Sequence, residues 1–250
     1  RSARFFEIAA EWSLARGERD EAIAALFSAV EIELTDMGLA MRLIQMLDTD
    51  GRRLEALDIV GRMKDRSLIS DRRLDYAHAW LLRKSKRQEQ IVLAAELADT
   101  AAKDWNEERP LSLAGSLAMR ATNYRRAYHY FQILARDYPS AYHNYWFGMS
   151  ASAVGDCEAL FGFEEALRFE PKWADAHIAF TRTLALCGKP VLSKERAQLL
   201  LSMHDNVDTR MTLAFAEFAM GEMEMARNIA LEYLPHPDAE NLIEYLEADN

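Results

Sequence analysis

The sequence is poor in the residues that build turns, crosslinks and strands. It has two cysteines, six prolines, ten glycines and only six valines in 250 residues. Two cysteines give no disulfide framework and no metal-ligand spacing. Few glycines and prolines leave little material for a succession of hairpin turns, and few β-branched residues disfavour strands. No apolar run approaches the ~20 residues needed to span a membrane as a helix. Cations are also in deficit: Lys and Arg number 30 against 40 Asp and Glu, for a net charge of −10. A general nucleic-acid binder displaces counterions with an excess of Lys and Arg, so that class is disfavoured. No signal peptide is visible, and the chain starts at Arg1 rather than Met. A processed or partial chain fits that start, with any targeting segment or fused domain outside it. The low cysteine count leans towards a cytoplasmic location, although a processed secreted or periplasmic form fits as well.

Catalytic signatures are missing too. There is no HExxH, no GxSxG, no P-loop and no GxGxxG in a fitting unit. The six histidines (His78, His129, His143, His177, His204 and His236) are scattered. His143 and His177 occupy related places, but without carboxylate or thiolate partners they read as packing histidines rather than metal ligands. We therefore expect no enzyme activity, metal or cofactor. Cys157 and Cys187 flank turns of adjacent repeats and are expected to remain unbridged, because neighbouring turns commonly exceed the ~7 Å Cα separation a disulfide tolerates.

What is abundant is alanine (39) and leucine (31), the best apolar helix formers. The chain reads as all-α. It is also internally periodic. Gly17 is followed five residues later by Ala22, and Gly51 by Ala56, with 34 residues between the two glycines. The same step reaches Ser85 and Gln90 in a degraded copy. After an insertion near "WNEERP" come Thr122 with Ala127, then Gly155, Gly188 and Gly221 at steps of 33. Units start near Ala3, Met37, Asp71, Glu108, Ala141, Ala174 and Val207. Each reads as an amphipathic helix, a short turn, a second helix and a break. Glycine at the turn ends the first helix in a left-handed conformation without a Cβ penalty. Small residues recur where paired helices would cross: Ala10, Gly115, Gly148, Thr181 and Ala214. Large apolar residues face them from the second helix: Leu26, Val60, Phe131 and Phe163.

This pattern, clearest in "GERDEAIAALFSAVEIEL", "NYRRAYHYFQILARDYP" and "GDCEALFGFEEALRFEP", resembles the tetratricopeptide repeat family over residues 3–238. The resemblance implies a right-handed superhelical solenoid of antiparallel helix pairs, with first helices lining a concave face. Residues 239–250 then form a capping helix, with Asp238 as its N-cap. Departures from the pattern are Ser85, Gln90 and His78 in unit three, Pro190 and a weak second helix in unit six, and Arg210 and Glu217 in unit seven.

The register sorts an aromatic run, "YPSAYHNYWFGM" (138–149). Phe147 and Gly148 fall at packing positions. Tyr142, Tyr145 and Met149 share a helical face directed at the groove, with Trp146 beside them. The corresponding face presents Arg109, Ser112, Ser116 and Met119 in unit four and Asp175, Ile178, Arg182 and Ala185 in unit six. In unit three it presents Arg72, Asp75 and Ala79. The aromatics are either an aromatic floor for a ligand, with Arg109 and Arg182 steering acidic groups, or filling for the narrow inside of the solenoid. A basic block (Arg62, Lys64, Arg66, Arg72, Arg73, Arg83, Lys84, Lys86 and Arg87) is either a solvated exterior or a docking patch for an acidic partner. The expected function is a protein–protein interaction scaffold that takes a peptide or partner helix in its groove. Alternatives are the substrate-positioning or regulatory part of a larger enzyme, or a self-assembling homo-oligomer joined between the basic block and the acidic C-terminal repeats.

Overall fold

The structure is a computed structural model. It describes all residues except 1, 34, 67–70, 104, 249 and 250, together with the side chain of Arg66. Among the described residues there are fifteen helices and no strand. They form two compact units, Arg1–Thr122 and Asn123–Asn250.

The first unit holds α1 (Ala3–Ala15), α2 (Arg19–Ile32), α3 (Met37–Thr49), α4 (Arg53–Arg66), α5 (Arg72–Leu82), α6 (Gln88–Ala102) and α7 (Glu108–Arg120). Each helix packs on the next: α1 on α2, α2 on α3, and so on to α7, while α3 and α7 also flank α5. The second unit holds α8 (Tyr124–Asp137), α9 (Ala141–Ala153), α10 (Ala159–Phe169), α11 (Ala174–Leu186), α12 (Pro190–Met203), α13 (Val207–Ala219), α14 (Met223–Glu232) and α15 (Pro237–Ala248). It is stacked in the same way, with α9 beside α11 and α11 beside α13.

Local chemistry explains the two kinds of helix start. Most first helices follow a break and begin at a residue whose side chain caps them. Ser2, Asp36, Asp71, Ser140 and Asn206 each accept a backbone N–H from the first turn. Second helices mostly follow a tight glycine turn and lack such a bond. In that turn Glu18 N–H donates to Ser13 O at 2.9 Å and Gly17 N–H to Leu14 O at 3.0 Å. These are the paired bonds of a Schellman motif, and they recur at Gly51, Gly155, Gly188 and Gly221. All five glycines have φ between 70° and 87°. Thr122 takes the same left-handed place at φ 57°.

Helix crossings are tight where the small residues predicted them. Ala10, Thr181 and Ala214 are fully buried. A Cβ on Gly148 would stand 2.8 Å from the Phe163 ring, and one on Gly162 would stand 2.7 Å from Gly148 N. The departures from the repeat have local causes. In unit three, α5 stops at Leu82, and Arg120 donates to the carbonyl oxygens of Arg83 and Ser85, the latter at 2.6 Å. In unit six the second helix is not weak, and Pro190 lies at its start rather than in the turn. It opens a 14-residue helix at the first position, where a missing N–H costs nothing. In unit seven the buried Glu217 carboxylate lies 2.8 Å from Lys194 Nζ, and Arg210 pairs with Asp205 at 2.6 Å.

The cysteine expectation is overturned. Cys157 and Cys187 form a disulfide, with their Cα atoms 5.8 Å apart. Both residues lie at the turns that join first to second helix, and the stacking of α9 on α11 brings those turns inside the permitted separation.

Candidate functional site

In the first unit, α3, α5 and α7 line a common groove of about 1110 Å³. Its centre is Trp80 on α5. The indole Nε1–H donates to Asp48 Oδ2 at 2.9 Å, and the Arg83 guanidinium lies 3.7 Å over the ring while donating to the same Asp48 oxygen at 3.2 Å. Asp48 comes from α3, so the ring is held between two helices. Tyr76, one turn earlier, stacks on Trp80 at 6.3 Å and meets Trp105 edge-on at 5.6 Å. Burial raises the Tyr76 phenol pKa, and the nearby Arg109 and Arg83 charges oppose that rise. Trp80 nevertheless keeps 39 % of its surface exposed. From α7 come Arg109, Ser112 and Ser116, and from the α5 turn comes Lys84. Arg42 in this groove pairs with Glu11 at 3.3 Å, whereas Lys84 and Arg109 are exposed and form no ion pair among the described residues.

The expected groove residues of unit three are one position off. Asp75 and Ala79 are buried, and Asp75 accepts from Lys64 Nζ at 2.7 Å. The residues that line the groove are Tyr76, Trp80 and Arg83, at i, i+4 and i+7. With α5 beginning at Arg72, one residue after the start read from the sequence, the whole face shifts by one. Three large residues at that spacing were the signal that could have revealed it.

In the second unit the aromatic run is layered. Tyr145 packs 4.5 Å from the Trp173 ring and 5.9 Å from Phe163, and burial raises its phenol pKa. Met149 joins the same cluster with Phe180 and Leu184. Trp146 stacks on Phe131 at 6.0 Å and meets the edge of Tyr142 at 6.1 Å. Of the four, Tyr142 is the most exposed, at 46 %, and Tyr145, Trp146 and Met149 are partly buried. Arg182 already holds an acid of its own chain: it donates to Asp238 at 2.7 Å and to Thr212 at 3.2 Å, over the Phe215 ring. Asp238 therefore lies inside α15, which starts at Pro237, and is not its N-cap. Arg109 and Ser116 belong to the first unit, and Tyr142, Tyr145, Trp146, Met149 and Arg182 to the second.

Members of the basic block meet different partners. Arg62 pairs with Glu31 at 2.5 Å, Arg72 covers the Trp105 ring at 5.2 Å, and Arg83 and Lys84 line the groove. The Arg66 side chain lies outside the described residues. His143 Nδ1 is 2.6 Å from Tyr138 O and His177 Nε2 is 2.9 Å from Pro171 O, so one nitrogen of each ring faces a backbone carbonyl. Among the described residues no group of three His, Cys, Asp or Glu is placed to hold a metal ion, and no helix is long and apolar enough to cross a membrane.

A stack of paired helices with left-handed turns at a 33–34-residue step defines a helical-repeat protein. Comparison with solved structures makes this specific: the fold is that of tetratricopeptide-repeat proteins. A tetratricopeptide repeat protein from Parabacteroides merdae is similar at TM-score 0.56 and 13% identity, over 98% of both chains. Pseudomonas aeruginosa pilF is similar at TM-score 0.54 and 16% identity, over 91% of this chain and 99% of that one. YrrB, described as a tetratricopeptide-repeat protein with an unusual peptide-binding site, is similar at TM-score 0.52 and 16% identity, over 70% of this chain and 92% of its own. No protein-family model matches the sequence, and no curated protein is significantly similar to it.

Proposed function

We propose that this chain is a protein-interaction scaffold that takes an extended peptide or partner helix in the groove of α3, α5 and α7. One observation carries the reading. Trp80 is partly exposed at the groove centre yet fixed by Asp48 and Arg83. A rigid, half-exposed tryptophan offers large contact area at little entropic cost, and such residues dominate interface energetics. Lys84 and Arg109 add unpaired positive charge, which favours acidic groups on the ligand and speeds their approach. Ser112 and Ser116 supply hydroxyls for the ligand backbone. The peptide-binding site ascribed to YrrB, which shares this fold, supports a peptide as the ligand class. In the second unit the reading extends to Tyr142, with Trp146 and Met149 beside it, as a smaller contact surface.

The test is selection from a random peptide library on the intact chain, followed by titration of the enriched peptides. Arg109→Ala is expected to weaken those peptides at least tenfold without changing the melting temperature, and Trp80→Ala to weaken them as much in a chain that stays folded by circular dichroism. Tyr142→Ala measures the contribution of the second unit. Peptides that bind parent and Trp80→Ala equally would place recognition elsewhere.

A further inference from the structure

The two unpaired cations of the first-unit groove stand at its opposite ends. Arg109 is the second residue of α7, and its charge acts on the Tyr76 phenol near the start of α5. Lys84 lies two residues beyond the end of α5. Arg120, the last residue of α7, donates to the carbonyls of Arg83 and Ser85 on either side of it. Lys84 therefore sits level with the end of α7. At a helical rise of about 1.5 Å per residue, the eleven steps from Arg109 to Arg120 span about 16 Å.

Trp80 lies between these ends. Arg83 covers one face of its indole, and 39 % of the residue stays open. Gln45 of α3 and Ser112 and Ser116 of α7 line the groove beside it, and none of the three is buried. Their amide and hydroxyl groups form no hydrogen bond among the described residues. An extended backbone brings unpaired N–H and C=O groups that such side chains satisfy, whereas a helix satisfies its own. The groove is also cationic. Arg42, Arg83, Lys84, Arg109 and Arg120 line it against Asp48 and Glu108, and the Asp48 carboxylate is already taken by Trp80 and Arg83.

We propose that the groove takes an extended segment of a partner protein in which two carboxylate side chains, four residues apart, bracket an apolar one. This rests on the groove reading and narrows it to a pattern: acid, spacer, apolar, spacer, acid. Alternation along an extended chain turns the first, third and fifth side chains to one face. Four steps of about 3.3 Å cover about 13 Å. The long, exposed Lys84 and Arg109 side chains lean inward to close the rest, and the central apolar side chain falls on the open part of Trp80. Carboxylates held at both ends fix the register of the segment, which one cation alone would leave free to slide.

The probe is the fluorescein-labelled peptide GSETLTEGS, titrated by anisotropy against the intact chain. One control is GSEETLTGS, of the same composition with the acids adjacent. The other is GSKTLTKGS, with the charges reversed. The parent is expected to bind the probe at least tenfold more tightly than either control. Lys84→Ala and Arg109→Ala should each remove most of the preference over the isomer, and Lys84→Glu/Arg109→Glu should prefer GSKTLTKGS. Both substituted side chains are exposed, and circular dichroism checks that the variants fold. No saturable binding of the probe, equal binding of the two isomers, or a charge-swapped variant that still prefers acids would each overturn the proposal. Library peptides that depend on Trp80 but lack the bracketed pattern would overturn the spacing and leave the groove reading standing. A library without any Trp80-dependent peptide would overturn both.

Discussion

The same substitution should change stability in opposite directions at two helix-interior glycines. Gly61 lies in α4 and Gly162 in α10. Alanine is favoured over glycine inside a helix by about 0.8–1 kcal/mol. At Gly61 a new Cβ meets nothing within 4 Å, so Gly61→Ala should realise that gain, about 1 kcal/mol. At Gly162 the new Cβ would lie 2.7 Å from Gly148 N, 2.7 Å from Phe147 Cδ1 and 2.9 Å from Asn144 O. Two of these atoms are backbone, so relief requires α10 to move away from α9. Overpacking of this kind costs about 1–3 kcal/mol, and immovable backbone puts the cost at the upper end. After the propensity gain, Gly162→Ala should lose about 2 kcal/mol. Repeat stability is local, so urea unfolding should be paired with amide hydrogen exchange in α4, α9 and α10. The loss should appear as faster exchange in α9 and α10. Gly162→Ala as stable as the parent, or both variants shifting the same way, would refute the close-crossing account.

Two further outcomes follow from single groups. The His78 pKa is lowered, first by burial and then by the Lys64 charge, with Asp75 opposing. Its folded pKa thus lies below the unfolded value of about 6.5, so the unfolded chain binds the extra proton. Stability at α5 should be full above about pH 6.5 and fall as pH drops through that value towards the folded pKa, and His78→Gln should flatten that part of a pH series of melting curves. Cys157 and Cys187 are 30 residues apart, and a loop of that length gives about 3–4 kcal/mol of stabilisation in the chain-entropy model. Cys157→Ser/Cys187→Ser should therefore lower the melting of the second unit while leaving exchange in α1–α4 unchanged, and equal melting with and without reductant would contradict the crosslink.

The class of fold was legible because the repeat writes it several times over. Glycine at a fixed step, a small residue seven positions earlier and a large apolar partner in the next helix each mean little alone. Their recurrence fixes helix pairs, and the Schellman bonds at five glycines are the physical content of that recurrence. The disulfide was not legible, because it depends on how closely two turns are stacked, and nothing local to Cys157 or Cys187 reports that distance. Glu217 was marked as a departure from the repeat, but its partner Lys194 lies in the preceding helix pair, where sequence spacing gives no warning of a 2.8 Å contact.

The candidate site was legible only where the register held. Arg109 and Ser116 were read as groove residues and Arg83 and Lys84 as part of a separate basic block, and in the structure all four line one groove. Trp80 and Tyr76 were not named, because unit three lacks the glycine that sets the register elsewhere. With Ser85 in its place, α5 ends at Leu82, and the carbonyls of Arg83 and Ser85 just beyond it are held instead by Arg120 from α7. That substitute belongs to another repeat and cannot be read from unit three alone. An error of one residue in a helix rotates a face by about 100°, enough to exchange Trp80 for the buried Ala79. Solved structures at 10–17% identity share this fold, although no family model recognises the sequence. The fold constrains only a few small and large positions per repeat. The groove residues between them are free to vary, and those are the residues a ligand would touch.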